Sequence, residues 1–302
     1  MGARKKLDRC DVVIVNFETG DFLKGAIESV LQSPAVAHVY IIDNASTDLS
    51  LDFLQQSQND RLTVIRNPKN VGYATACNIG LARTRFEQVL LLNPDCKIEG
   101  DAVERLMAAL SSDTRIGMVG PLLLNADGSE QLVGRRQFPM PETVLAQAFG
   151  GLSVRRRLAG DPPLQRDAML KESIEVDAIS GACMMVRRAA ITDVGPFDEQ
   201  YFLHGEDLDW CMRFHIQSWK ILFVPAARVV HYKGVSSRHR PVAVEYHKHK
   251  GMIRFYRKYL GGTYSRWLMA LLVAGVWMRF VVVASWRLIS GGAARIHREV
   301  AF

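Results

Sequence analysis

Residues 89–92 read Val-Leu-Leu-Leu and run directly into Asn93-Pro94-Asp95-Cys96-Lys97. A strand of this composition has no polar face to turn toward water. It must lie within a sheet covered on both sides, the condition of strands in open α/β folds. Pro94 cannot donate to a ladder and fixes the turn that follows, so Asp95 is presented at the carboxyl end of the strand. Such sheets hold their ligands there. The competing reading of Asn-Pro-Asp is an exit turn with no further role.

Apolar runs at 12–15, 39–42 and 62–65 each stop at polar residues: Asn16, the cluster Asp43-Asn44-Ala45-Ser46-Thr47-Asp48, and the loop Arg66-Asn67-Pro68-Lys69-Asn70-Val71-Gly72. Helical spacing follows the first run, with Asp21 as cap and Phe22, Ala26, Ile27 and Val30 along one side, and the third, over 73–84. Three β-loop-α units before residues 89–92 predict a mainly parallel sheet with its loops at one end. A helix over 100–110, a strand over 118–124 and a tight turn at Asn125-Ala126-Asp127-Gly128 come next. Residues 135–172 hold four prolines and the run Arg155-Arg156-Arg157, which predicts a mobile excursion with one short helix at 142–148. Its arginines suit phosphates or lipid headgroups, and equally a solvated basic loop. The sheet resumes at Val176 and 182–186, introduced by Ser180-Gly181, and ends in two short runs, 221–224 and 227–230, that lead to His231.

Neither Gly-x-Gly-x-x-Gly nor Gly-Lys-Ser/Thr occurs, so neither a dinucleotide fold nor a P-loop is supported. The loops supply carboxylates and amides instead: Asp43, Asn44, Asn70, Asn93 and Asp95. Such groups suit ribose hydroxyls, a base edge and a divalent cation. Asp43 also fits an Asx-turn, and Asp48 a cap. A second acidic cluster, Glu206-Asp207-Leu208-Asp209, opens a helix with Leu208, Cys211, Met212 and His215 as its apolar face. Acids in a first turn are favoured by the helix dipole alone. Gly205, however, leaves room in front of them for a hydroxyl whose proton a carboxylate takes. Asp209 points elsewhere along the helix and braces Arg213. His231, at a strand exit, fits a metal or phosphate role or a satisfied structural one.

The chain has 302 residues, 48% of them hydrophobic, enough for one large α/β domain with an appendage. Its five scattered cysteines read as free thiols in a reducing compartment. Met-Gly-Ala-Arg-Lys-Lys reaches Asp8 and Arg9 before any apolar run, unlike a signal peptide. The formal charge of +7 is uneven, with ten Lys/Arg and no Asp or Glu between Tyr246 and Arg298. No zinc finger, RNA-binding aromatic signature or basic reading helix accompanies it, so an anionic membrane surface fits better than nucleic acid. A basic helix over 242–260 ends at Gly261-Gly262, and 267–286 is apolar but for Arg279. That length can cross a bilayer, at the cost of a central arginine, whereas the spacing of Trp267, Trp277 and Trp286 suits a segment lying in the interface. Packing against the α/β domain or a second subunit is the competing reading, and a homo-oligomer stays open.

Taken in order, Asp43-Asn44-Ala45-Ser46-Thr47-Asp48, Asn70-Val71-Gly72, Leu92-Asn93-Pro94-Asp95, Ser180-Gly181-Ala182 and Glu206-Asp207-Leu208-Asp209 resemble the inverting nucleotide-sugar glycosyltransferases of family 2, in particular bacterial rhamnosyltransferases, over residues 11–232. The resemblance implies a GT-A α/β fold at 1–240, and the composition of 241–302 suits membrane-associating helices. It implies donor contacts from Asp43, Asn44, Arg66, Asn70, Gly72, Asn93 and Asp95. Asn93 and Asp95 stand at the family's Asp-x-Asp motif, leaving one hard carboxylate for Mg²⁺ or Mn²⁺, with His231 completing the site. Gly181, Ala182 and Glu206 line the acceptor loop, and Asp207 is the catalytic base. The implied reaction moves L-rhamnose from dTDP-rhamnose to a polyprenyl-diphosphate-linked saccharide in cell-wall or surface-polysaccharide synthesis. Its place is the cytoplasmic face of a bacterial inner membrane, the chain peripheral or monotopic. A UDP-hexose or UDP-N-acetylhexosamine donor, or a non-catalytic nucleotide-sugar-binding scaffold, stays open.

Overall fold

The computed structural model describes residues 9–54, 59–140, 170, 172–235 and 240–299. Strands Cys10–Asn16 (β1), Val36–Asp43 (β2), Leu62–Arg66 (β3) and Gln88–Leu92 (β4) lie parallel in the order β3-β2-β1-β4. Helices Phe22–Leu31 (α1) and Tyr73–Leu81 (α2) cover opposite faces, because alternate strand residues point to opposite sides. Val12, Ile14, Leu90 and Leu92 meet Leu23, Ile27 and Val30 of α1. Val13, Val15, Val89 and Leu91 meet Ala74, Cys77 and Leu81 of α2. All five residues of β4 are buried, as its composition requires.

Beyond β4 come strand Cys96–Ile98 (β5), helix Ala102–Ser111 (α3) and strand Ile116–Leu124 (β6). Arg135–Arg136 (β7) pairs with Ala178–Ile179 (β9), and Ile174–Glu175 (β8) lies on the main sheet. The sequence assigns Arg135 and Arg136 to the excursion, but pairing with β9 holds them in a strand. The helix expected at 142–148 and Arg155 to Arg157 lie outside the described residues. Strand Cys183–Arg187 (β10) inserts antiparallel between β4 and β6, so the sheet is mainly and not wholly parallel. An unforeseen helix, Arg188–Val194 (α4), precedes helix Glu206–Ile216 (α5).

The buried face of α5 differs from the expected one. Glu206, Asp209, Trp210, Cys211 and Phe214 are buried, while Leu208, Met212 and His215 lie at its margins. The large rings decide the rotation, with Trp210 and Phe214 fully buried against the sheet and Asp209 carried inward to Arg213. The two short runs expected at 221–224 and 227–230 are one strand, Lys220–His231 (β11). Pro225, which has no N–H for the ladder, falls where the register against β6 shifts, between Val224 and Arg228.

Helix Pro241–Leu260 (α6) is fastened to the loop before α5. Arg254 and Lys258 reach Asp198 at 2.6 and 3.1 Å, and Lys258 reaches the fully buried Asp209 at 2.6 Å. Phe202 stacks on His247, and a Cβ on Gly251 would stand 2.4 Å from the His204 carbonyl oxygen. Helix Arg266–Glu299 (α7) packs on α6 around Phe255, Tyr256, Leu260 and Val276. Arg279 reaches His249 Nε2 at 3.1 Å and Arg287 reaches Glu245 at 2.7 Å, so these two cations of α7 are tied to α6 although each residue stays exposed. Residues Arg266–Ile289 are long and apolar enough to cross a membrane, and among them Val276 and Ala284 are buried. Trp267, Leu271 and Trp286 stand mostly exposed on its outer side. This apolar helix suits membrane association.

Candidate active site

The parallel strands deliver Asn16, Asp43 and Arg66 to one end of the sheet, paired across the register as Asn16 with Asp43 and Asp43 with Arg66. Asp43 is 2% exposed, and its carboxylate accepts from Asn16 Nδ2 at 2.9 Å and from the Ser46 N–H at 3.3 Å. The bond reaches three residues on, so the Asx-turn expected at Asp43 does not form there; the two-residue turn is at Asp48. Asp48 accepts from the backbone of Gly20 and Ser50 and so shapes the loop. Asn44 donates to the Gly72 carbonyl and accepts from Asn67, acting as a staple between loops, while Arg66 is exposed. Asn70 accepts from the Gly72 N–H at 2.9 Å. Gly72 has φ +89, and a Cβ there would stand 2.7 Å from the Phe202 carbonyl oxygen, which also accepts from Tyr73 N–H at 2.8 Å. Only glycine permits both the backbone conformation and this approach.

Asn93 and Asp95 leave β4 as the spacing predicts. The Asn93 N–H donates to the Ala182 carbonyl at 2.8 Å, and the Tyr73 hydroxyl lies 3.1 Å from both Asn93 Oδ1 and the Gly181 carbonyl. These ties draw the loop of Gly181 and Ala182 against the Asp95 turn. Asp95 Oδ1 stands 3.4 Å from His231 Nε2, and the Asp95 carbonyl accepts from the Tyr232 N–H at 2.9 Å. A ring nitrogen and a carboxylate oxygen converging in this way form a donor set that suits a divalent cation. Cys96 lies within the same cluster, but burial holds its thiol well above its ordinary range and its Sγ is directed to the Ala182 carbonyl. Of the three, Asp95 and His231 are the donors that suit a hard divalent cation.

Asp207 has a different setting. Its Oδ2 accepts from Arg136 Nη2 at 2.5 Å and from the Gly181 N–H at 3.1 Å, and its Oδ1 from the Leu208 N–H at 2.8 Å. Burial pushes this carboxyl up, but the Arg136 charge and the hydrogen bonds outweigh burial and leave it below the usual carboxylate value. Its neighbour behaves oppositely. Glu206 is 5% exposed with Oε2 unpartnered, and burial followed by the Asp207 charge pushes it up to about 8. Arg136, Tyr73 and Asn16 were not foreseen as site residues. Asn16 at a strand end was legible. Arg136 was not, because its approach to Asp207 depends on the β7–β9 pairing of segments more than forty residues apart in sequence.

A model of glycosyl transferase family 2 matches residues 11–195, and one of glycosyl transferase family group 2 matches 165–296. The N-acetylglucosaminyl-diphospho-decaprenol L-rhamnosyltransferase of Mycobacterium tuberculosis is 28% identical over 278 residues, covering 88% of each chain. The rhamnosyltransferase WbbL of Escherichia coli is 24% identical, over 73% of this chain and 82% of its own. Among solved structures, the mannosyltransferase PcManGT of Pyrobaculum calidifontis with GDP-Man and Mn²⁺ superposes with a TM-score of 0.57 at 13% identity, over 99% of this chain and 77% of that one. GalNAc-T7 with UDP, GalNAc and Mn²⁺ gives 0.57 at 21% identity, over 76% and 44%. These two likenesses are of fold.

Proposed function

From its membership of glycosyltransferase family 2, to which the chain belongs as a GT-A-fold glycosyltransferase, we propose that it moves L-rhamnose from dTDP-rhamnose onto a polyprenyl-diphosphate-linked saccharide. The supporting observation is that Asp95 with His231, and Asp207 with Gly181, occupy loops tied to each other at one end of the sheet. The names of the mycobacterial and E. coli relatives support rhamnose, and the mycobacterial one supports a lipid-diphosphate acceptor.

The donor's nucleoside lies over Asp43, Arg66 and the Asn70–Gly72 turn, and its diphosphate toward Asn93 and Asp95. Asp95 and His231 would hold a Mg²⁺ or Mn²⁺ ion, which supplies charge neutralisation at the diphosphate when bound. Arg136 and two backbone N–H groups keep Asp207 ionised and aimed. An acceptor hydroxyl gives its proton to this carboxylate as its oxygen bonds to the anomeric carbon. The bond from that carbon to the diphosphate oxygen breaks on the opposite face, so the configuration inverts. Gly181 and Ala182 leave space for the acceptor beside the carboxylate. The exposed apolar side of α7 and the basic residues of α6 support peripheral or monotopic attachment to the cytoplasmic leaflet, in cell-wall or surface-polysaccharide synthesis.

Calorimetry of a nucleotide-sugar panel with and without Mg²⁺ or Mn²⁺ tests the donor. Cation-aided binding of dTDP-rhamnose is expected. Preference for a UDP-hexose or UDP-N-acetylhexosamine would reassign the donor, and binding of none would favour a scaffold. For attachment, the full chain carrying Leu271→Glu and Val282→Glu should stop sedimenting with anionic liposomes. Sedimentation equal to the unaltered chain would count against that surface.

A further inference from the structure

Gln131 follows the turn after β6, is 1% exposed, and has a partner for each polar group it carries. Its N–H donates to the Leu123 carbonyl at 2.8 Å, and its carbonyl accepts from the Gly134 N–H at 2.9 Å. Its side-chain Nε2 donates to two carbonyl oxygens, Leu124 at 3.1 Å and His231 at 2.6 Å. Those two acceptors decide which end of the carboxamide is which. Turned over, its oxygen would face two carbonyl oxygens. Oε1 therefore faces His231 Nδ1, at 3.0 Å, and Oε1 can only accept. Nδ1 must carry a proton, and in the neutral ring the lone pair is left at Nε2, 3.4 Å from Asp95 Oδ1.

We infer that Gln131 is a positioning residue for the cation site: it fixes His231 in the Nδ1–H form and, gripping both ring and backbone carbonyl, aims the Nε2 lone pair at the point Asp95 faces. The inference rests on Asp95 and His231 being the cation ligands. A ligating histidine whose other nitrogen donates to an oxygen acceptor is held in one orientation, and loss of that acceptor typically weakens metal binding by about 10–100-fold. Glutamine is suited to this place because it donates twice and accepts once. Glutamate would set a carboxylate against two carbonyl oxygens, and an apolar residue would leave Nδ1 without an acceptor.

The test uses the full chain labelled with ¹⁵N-histidine at pH 8, where an unperturbed imidazole is neutral. His231 is assigned by its loss in His231→Gln. In the unaltered protein without metal, His231 should show the Nδ1–H tautomer. In Gln131→Met the tautomers should mix or invert, and the Mn²⁺ dissociation constant, read by electron paramagnetic resonance, should rise about 10–100-fold. An Nε2–H tautomer in the unaltered protein overturns the inference, and that spectrum decides even if Gln131→Met does not fold. So does a Gln131→Met protein with tautomer and Mn²⁺ affinity unchanged. If His231→Gln binds Mn²⁺ as well as the unaltered chain, the cation reading itself fails and the positioning role fails with it, whatever tautomer is seen.

Discussion

Asp95 and Asp207 are both acids at loop ends on one side of the sheet, and in the sequence they look alike. Their surroundings are opposed. Asp95 faces a histidine nitrogen whose proton is held on the far side of the ring, so two electron-pair donors converge with no hydrogen between them. Asp207 faces a guanidinium and two backbone N–H groups, which fill Oδ2 twice and Oδ1 once and leave a lone pair on Oδ1. The first arrangement suits a cation. The second suits a carboxylate that stays ionised and can still accept one more hydrogen. What sets the two acids apart is the supply of donors around each, fixed in part by residues far away in the chain.

That contrast can be broken in four places. The largest effect is expected from Asp207→Asn, which should lower kcat by about 10²–10⁴ while donor binding by calorimetry stays as before. Near-normal transfer would remove Asp207 from the chemistry. His231→Ala should do the reverse, weakening Mn²⁺ affinity on the order of a hundredfold and leaving the pH profile of the Asp207 step in place. Arg136→Gln removes the charge that depresses Asp207, so its pKa should rise. The acid limb of kcat/KM should move up in pH, with Mn²⁺ affinity unchanged. The smallest effect concerns Glu206, raised to about 8 from an ordinary 4.5. A raised folded-state value means that its protonated form favours the fold, fully so below pH 4.5, and that this contribution is lost as pH climbs through 8. Glu206→Gln should therefore match the unaltered protein near pH 4 and gain on the order of a few degrees in Tm at pH 9, by calorimetric scans.

The strand ends were legible because a run such as Val-Leu-Leu-Leu has one stable environment, and the polar residues after it must emerge at the sheet's edge. Asn93 and Asp95 stand at the end of β4 for that reason. What was illegible depends on long-range pairing. Arg136 meets Asp207 only through β9, and Gln131 meets His231 across a hundred residues. The rotation of α5 was misread because the periodicity of Leu208, Met212 and His215 competes with Trp210 and Phe214, and the larger rings win the interior. Pro225 divides β11 in sequence, whereas in the sheet it occupies a register shift and the strand continues. In the sequence Arg279 counts against a bilayer crossing, whereas in the fold its long side chain reaches His249 on the neighbouring helix while the residue stays exposed.

The fastening of α6 has a consequence for how the chain is made. Asp209 sits in the interior between Arg213 on its own helix and Lys258 on α6, and Asp198 has both of its cations on α6. On a ribosome, which releases the chain from its amino end, the catalytic loop emerges about fifty residues before Lys258 does. During that interval Asp198 lacks both of its cations and Asp209 has only Arg213 of its two, and the apolar stretch of α7 is the next to leave the tunnel. Completion of this loop's ion pairs and first exposure of the lipophilic helix thus fall together during synthesis.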